Sequence, residues 1–479
     1  MNDNNKTQMI PVLNPRSGEV DYHIERTSRA TIETLGQELK DAQTEWAAQA
    51  IERRVDILLA WADEIEAART DISAALMLDT GRKRIAQEAP GHVIGSIRGW
   101  AATAPQAIQT AGGRSSVMPD VTFTNQYKPY PLLGVISPWN FPMVLSLIDA
   151  VPALLAGCAA IIKPSEITPR FAAPLSETIR RVEPLHKILR YITGDGESGA
   201  ALVDNVDIVC FTGSVATGRR VAESAARNFI PAFLELGGKD PVIVTAGADL
   251  DRASTAVLRG SVYATGQICY SLERVYVDRR VHDEFVERLV NKAEELEVNY
   301  PDIERGHIGP MIDLRQADIV EDHIDDARSK GATVQTGGEV EDHGGKWIRP
   351  TVLTGVDHSM KVMTDETFGP VMPVMAYDSE AEAIRLANDT IYGLSAAVLA
   401  GDPEEGQRIA SQIDAGAVSV MDTILTGAII RDAEKTSFKQ SGLGGTRMGP
   451  GSILRFFRKK AILTNTGDSA AMTTLGETG

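Results

Sequence analysis

A thiol, a carboxylate and a side-chain amide, each flanked by turn-forming residues, stand in three short stretches of this chain, and acyl-transfer chemistry requires those three parts. Cys269 lies in Gly266-Gln267-Ile268-Cys269-Tyr270-Ser271, a glycine-opened and partly apolar turn. Glu235 heads Glu235-Leu236-Gly237-Gly238-Lys239, and Asn140 sits in Ser137-Pro138-Trp139-Asn140-Phe141-Pro142. A free cysteine is by itself more often an inert core filler than a nucleophile. The accompanying carboxylate and amide make Cys269 the candidate nucleophile.

These residues need a scaffold, and 479 residues at 43% hydrophobic and 24% charged can bury large cores in two or three domains. The formal charge of −17 excludes nucleic-acid binding by bulk electrostatics. Three cysteines (Cys158, Cys210, Cys269) with no CxxC pair build neither a disulfide framework nor a zinc site, and no metal is expected. The eight histidines stand singly, mostly among charged or polar neighbours, as in Glu321-Asp322-His323, and are expected at the surface. The opening residues lack the apolar core of a signal peptide, so a cytoplasmic location is expected. The one long apolar run, Met143 to Ile162, is broken by Asp149, Pro152 and Gly157, and reads as a buried helix followed by a buried strand, with no membrane contact.

Helical periodicity runs from Ser28 to Gln109, with Trp46, Leu58 and Trp61 among its apolar positions. Val121 to Pro131 alternates in the β manner and predicts a strand pair projecting toward another subunit, or else an ordinary edge strand. From Leu132 to Glu235 short apolar runs alternate with helical segments, which predicts a parallel sheet covered on both faces. A second such alternation follows from Pro241 to Val398 and carries Cys269 near its start.

A nucleotide is expected at the carboxyl ends of the first sheet's strands, where helix N-termini offer amide donors. Gly213 and Ser214 stand between a β run and a helix, so Ser214 can cap that helix while free amides face a pyrophosphate. Lys163-Pro164-Ser165-Glu166 ends another strand of the same sheet and can hold ribose hydroxyls, although it also reads as a solvated turn.

Together these stretches resemble the aldehyde dehydrogenase superfamily, from about Val12 to Leu463 and in that family's order. The matching segments are Pro138 to Pro142, Lys163 to Glu166, Phe211 to Ser214, Glu235 to Lys239, Gly266 to Cys269, Glu366-Thr-Phe-Gly-Pro370, Asn388, and Tyr392 to Leu394. The resemblance implies an α/β fold with a Rossmann-type NAD-binding domain (1–118 and 131–237), an α/β catalytic domain (238–436), and a β oligomerisation extension with the C-terminal tail (119–130 and 437–479). It implies a homodimer or homotetramer. Cys269 would attack an aldehyde, Asn140 and the Cys269 N–H would hold the oxyanion, and Glu235 would activate the hydrolytic water. The thiol needs help to ionise, and Glu235 or Lys163 could give it. The cofactor set implied is Ser137, Trp139, Lys163, Ser165, Glu166, Gly213, Ser214, Gly237, Glu366 and Phe368. The carboxylate of Glu166 would accept ribose hydroxyls and repel a 2′-phosphate, so NAD is expected over NADP, which remains possible as the poorer cofactor.

By position relative to these motifs, Phe141, Leu145, Ile148, Tyr263, Ile268 and Tyr270 should line the substrate tunnel, which favours an apolar or aromatic aldehyde. The family's usual Pro-Phe-Gly-Gly is replaced here by Glu434-Lys-Thr-Ser437, and a methionine, Met421, stands at its usual asparagine, both on the substrate side. The alternatives are a CoA-acylating relative, which Glu235 opposes, and a catalytically silent homologue, which the intact Cys269, Asn140 and Glu235 oppose.

Overall fold

The computed structural model describes residues 8–475 and Glu477. The first seven residues, part of the opening stretch considered above for a signal peptide, and the last few of the tail lie outside the described residues. Apolar runs with no polar alternation form the centre of the first body. Leu132–Ile136, Ala159–Lys163, Leu189–Tyr191, Ile208–Thr212 and Ala232–Glu235 pair in parallel, and the strand Gly442–Leu443 adds antiparallel beside Ala232–Glu235. The chain starts this sheet in the middle, at Leu132–Ile136, builds outward one way, then returns to build the other side. That reversal opens a crevice at the strands' carboxyl ends, where Ser137 and Gly213 stand.

The expected helical layer is present as Arg29–Ala48, Ile51–Ala67, Arg69–Thr80 and Lys83–Ala107, and it packs into the core of this sheet through Trp46, Leu58 and Trp61. The run from Met143 to Leu155, expected as one helix, is two: Pro142–Leu147 and Ala150–Ala156. Pro152 gives no N–H to Ile148 and its ring crowds that carbonyl. Asp149, at the break, is buried and bound by Arg447 and Arg455.

The second body holds a seven-stranded sheet in the order Thr333–Thr336, Thr351–Thr354, Val371–Tyr377, Leu272–Asp278, Asp240–Val244, Ser395–Leu399, Ala417–Val420, parallel except at the first edge. Apolar clusters cover both faces. The third sheet is antiparallel, with Val121–Pro129 between Phe457–Asn465 and Gly112–Arg114. The expected strand pair is thus a three-stranded sheet. The extension also begins later after residue 436 than expected: Gly442–Leu443 joins the first sheet, and Ile453 and Phe456 are fully buried in the first core. No helix among the described residues is long and apolar enough to cross a membrane.

His323 corrects the expectation of surface histidines. Its helix Leu314–Ser329 buries Val320, Ile324 and Ala327, and the same spacing carries His323 inward, where a ring nitrogen lies 3.1 Å from Thr367 Oγ1.

Candidate active site

The loop bearing Cys269 is held in an unusual backbone shape. After the helix Leu250–Val262 the chain passes through Ala264, Thr265 and Gly266 with φ of +56°, +60° and +69°. Only glycine takes this region freely, and at Gly266 a Cβ would lie 2.3 Å from the Gly369 carbonyl oxygen. For Ala264 and Thr265 the conformation costs about 1–3 kcal/mol each. It is secured by Arg82, whose Nη2 donates to Ala264 O, and by Thr265 Oγ1, which donates to Gly309 O at 3.2 Å. Gln267, fully buried, donates to Pro310 O and accepts from the Ile312 N–H. The result is a rigid turn that presents Cys269 partly exposed, whereas Cys158 and Cys210 are buried.

Asn140 follows the strand Leu132–Ile136 and is 4% exposed. Its Nδ2 donates to Gln267 O at 3.0 Å, and Arg82 Nη1 donates to its backbone oxygen at 3.2 Å. One Nδ2 proton is engaged; the second is available to an oxyanion.

Glu235 ends the strand Ala232–Glu235. Beyond it the chain passes directly under the cysteine loop, since a Cβ at Gly238 would lie 2.4 Å from Cys269 O. The Glu235 carboxylate accepts a 2.8 Å hydrogen bond from Ser437 Oγ, and Lys435 Nζ stands 3.9 Å from the same oxygen. Burial pushes the Cys269 thiol up to about 12; Lys435 pulls it down, while Glu235, Asp240 and Glu366 push it further up.

Of the two groups expected to help the thiol ionise, Lys163 is engaged elsewhere. Lys163, on a neighbouring strand and 4% exposed, donates to Pro164 O, Gly194 O and Glu166 Oε2, so its ammonium is committed on the nucleotide side. Glu235 carries the wrong sign of charge to stabilise a thiolate, so any help it gives the thiol is that of a base.

Ser137, Lys163 and Gly213, expected to hold a nucleotide, stand at the carboxyl ends of the first sheet's strands. Ser137 is buried and its Oγ has no hydrogen-bond partner among the described residues. Ser214 caps the helix Val215–Arg227 by accepting from the Thr217 N–H, leaving other first-turn amides facing out. A Cβ at Gly213 would meet the Phe211 ring at 2.6 Å. Ser165 uses its hydroxyl locally, accepting from the Ile167 N–H. Lys163 and Glu166 pair at 3.3 Å. Trp139 and Phe368 meet edge to face at 5.3 Å, Phe368 with φ +52°. Glu366 Oε1 accepts from the Gly238 N–H at 3.1 Å, and a Cβ at Gly237 would strike that carboxylate. Burial raises the Glu366 carboxyl to about 8.

Phe141 and Tyr263 lie with near-parallel rings 6.3 Å apart, and Leu145, Ile148 and Tyr270 are half-buried. Ile268 is more deeply buried, at 3% exposure.

Residues 1–462 match the Aldehyde dehydrogenase family. The chain belongs to the aldehyde dehydrogenase family. It is similar to an aldehyde dehydrogenase of Anabaena variabilis, PutA, with TM-score 0.94 and 49% identity over 97% of this chain and 99% of that one. It is similar, at TM-score 0.91 and 30% identity over 97% and 95% of the two chains, to betaine aldehyde dehydrogenase of Staphylococcus aureus, solved in complex with NAD+. A protein of Mycolicibacterium smegmatis named as a succinate-semialdehyde dehydrogenase (NADP+) is 37% identical over 88% of this chain and 82% of its own.

Four residues of this aldehyde dehydrogenase site were not expected to take part: Arg82, Gln267, Lys435 and Ser437. Gln267 lay in plain view inside the Gly266 to Cys269 motif. Lys435 and Ser437 fell in the segment that departs from the family pattern, and that departure was the available signal. Arg82, more than fifty residues upstream of Asn140, had none.

Proposed function

We propose that this aldehyde dehydrogenase oxidises an aldehyde to a carboxylic acid by covalent catalysis at Cys269 with NAD as its preferred cofactor. The observation that carries the proposal is the crossing of the Glu235 turn under the Cys269 loop at Gly238, with Asn140 tied to the same loop through Gln267. The thiolate of Cys269 adds to the aldehyde carbon, and the electron pair displaced onto oxygen is held by Asn140 Nδ2 and the Cys269 N–H. NAD, when bound, supplies the hydride acceptor that turns the thiohemiacetal into a thioester. Glu235 then takes a proton from water, the water oxygen attacks the thioester carbonyl, and Cys269 leaves as thiolate.

The nucleotide would lie across Ser137, Lys163, Ser165, Glu166, Gly213 and Ser214, with its nicotinamide end toward Trp139, Gly237, Glu366 and Phe368. Phe141, Leu145, Ile148, Tyr263 and Tyr270 support an apolar or aromatic substrate. The three-stranded extension, whose Ile462 and Leu463 are exposed, is the surface through which subunits would pair. Mixing protein, NAD and aldehyde with and without CoA, at the NADH absorbance, tests the reaction: turnover that is independent of CoA supports hydrolysis, and turnover that requires CoA overturns it. A panel of aldehydes compared by kcat/KM tests the substrate class; a clear preference for succinate semialdehyde or betaine aldehyde overturns the apolar reading.

A further inference from the structure

Ser437 stands where the family's Pro-Phe-Gly-Gly segment ends in glycine, so this chain carries a hydroxyl where that pattern has no side chain. Its Oγ donates to Glu235 Oε2 at 2.8 Å. The direction of that bond is fixed. Lys435 Nζ donates to the same Oγ at 3.3 Å, and an ammonium has no lone pair with which to accept, so the one hydroxyl proton of Ser437 is left for the carboxylate. The other carboxylate oxygen, Oε1, has no hydrogen-bond partner among the described residues, and the Glu235 side chain is 16% exposed. One oxygen is anchored and the other is presented.

The segment that carries Ser437 is tied to the strand that carries Glu235. Gly442 is the antiparallel partner of Glu235, and Ser441 O accepts from the Leu236 N–H at 2.9 Å. The Ser441 N–H donates to Phe438 O at 3.0 Å, which closes the turn between Ser437 and that strand. A Cβ at Gly442 would lie 2.7 Å from Ser437 Cβ, so the glycine beside Glu235 is what leaves room for the serine. On the outer side the Phe438 N–H donates to Gly393 O at 2.9 Å, and a Cβ at Gly416 would lie 2.0 Å from Thr436 O. Ser437 is thus held by backbone contacts on both sides.

We propose that Ser437 is a positioning residue for Glu235: it anchors Oε2 and so presents Oε1 to the water that hydrolyses the thioester. This rests on Glu235 being the base of that step. Oε1 takes one proton from the water as the water oxygen bonds to the thioester carbon, the other proton stays with the product acid, and the carbon–sulfur bond breaks to return Cys269 as thiolate. Without the anchor the carboxylate turns about its side-chain bonds and spends less time in that pose. Ser437 takes no part in the bonds made or broken; it acts through Glu235, and only after the hydride has left.

The test is rapid mixing of the full chain with NAD and an aldehyde, in wild type, Ser437→Ala, Ser437→Gly and Ser437→Thr. The NADH burst is read by absorbance, and the acylated fraction of Cys269 by quenching and mass spectrometry. Ser437→Ala should keep the burst, slow the steady rate about tenfold or more, the worth of one hydrogen bond to a charged group, and leave more of Cys269 acylated. Ser437→Thr keeps the hydroxyl and should stay near wild type. Ser437→Gly gives the same reading as Ser437→Ala if the alanine variant does not fold. A merely structural serine would lower the burst and the steady rate together without raising the acylated fraction, and that result overturns the proposal. Glu235→Gln, measured alongside, separates the two assignments. If it stalls the thioester while Ser437→Ala does not, the role of Ser437 falls alone; if it hydrolyses the thioester at the wild-type rate, the base assignment falls and this inference with it. Adding Ser437→Ala to Glu235→Gln should slow hydrolysis no further, since both changes act on one step; a further tenfold loss overturns the claim that Ser437 acts through Glu235.

Discussion

Asn140 Nδ2 donates to the carbonyl of Gln267 at 3.0 Å, so the amide proposed to hold the oxyanion is fastened two residues ahead of the nucleophile. The two donors therefore move as one piece. Arg82 adds a second fastening, bridging the Asn140 and Ala264 carbonyls from a fully enclosed position.

Asn140→Ala should lower kcat by about a hundred- to a thousand-fold, the usual cost of one oxyanion donor at about 3–4 kcal/mol. The same change removes one protein hydrogen bond, worth only about 1 kcal/mol to the fold. Steady-state kinetics beside a thermal melt checks both: a large loss of rate with a small change in Tm is expected.

Cys269→Ala should abolish turnover while leaving NAD binding intact. Cys158 and Cys210 are buried in the first core, burial raises both thiols, and Cys158 reaches about 12. Replacing either by alanine should reduce stability by about 1–2 kcal/mol, a modest core truncation, and leave kcat unchanged. Retained activity in Cys269→Ala would remove the basis of the mechanism.

The Glu366 carboxyl, raised by burial to about 8, is largely neutral at pH 7 in the free protein. A carboxylate accepts hydrogen bonds from ribose hydroxyls more strongly than a neutral acid does. Raising the pH from about 6.5 to about 9 takes Glu366 through its pKa into the charged form, so NAD should bind more tightly at the upper end. Glu366→Gln should flatten the dependence. A dissociation constant that rises over this range, measured by fluorescence titration, would contradict the proposal that Glu366 faces the nicotinamide end of the nucleotide.

Glu166 pairs with Lys163 at 3.3 Å, at the end of the strand where the adenine ribose is proposed to lie. Its charge opposes a 2′-phosphate, and Glu166→Ala would remove that opposition beside the Lys163 ammonium. The ratio of kcat/KM for NAD over NADP should exceed one in wild type and fall about tenfold or more in the variant, as expected for removal of one charge at close range.

The parallel cores were legible because runs such as Leu132–Ile136 and Ala159–Lys163 are continuously apolar, as strands covered on both faces must be. The motifs were legible because glycines mark close approaches, as at Gly238 under Cys269. Short pairings were not: Val340–Asp342 with Lys346–Ile348, and Gly442–Leu443, are too brief to show a period. The path of residues 437–456 back onto the first core depends on where Phe456 finds space, which is a property of the packed interior. Lys435 was invisible as a site residue for a related reason. A lysine beside a glutamate reads as solvated surface until the fold turns it toward Glu235.

Glu235→Gln separates acylation from hydrolysis, and the surroundings of Glu235 sharpen what it should show. The substitution keeps an acceptor for Ser437 Oγ and removes the base, so the thioester should form and then stall. Rapid mixing with NAD and aldehyde should give a burst of NADH approaching one per site, then a steady rate lower by about a hundredfold or more. Removing the carboxylate also takes one opposing charge from Cys269 and leaves Lys435 unbalanced. The burst phase should therefore be at least as fast as in wild type at neutral pH, since a larger fraction of the thiol is ionised. Loss of the burst together with the steady rate would instead make Glu235 the base that ionises Cys269, and an unaltered steady rate would assign the hydrolytic water to another residue.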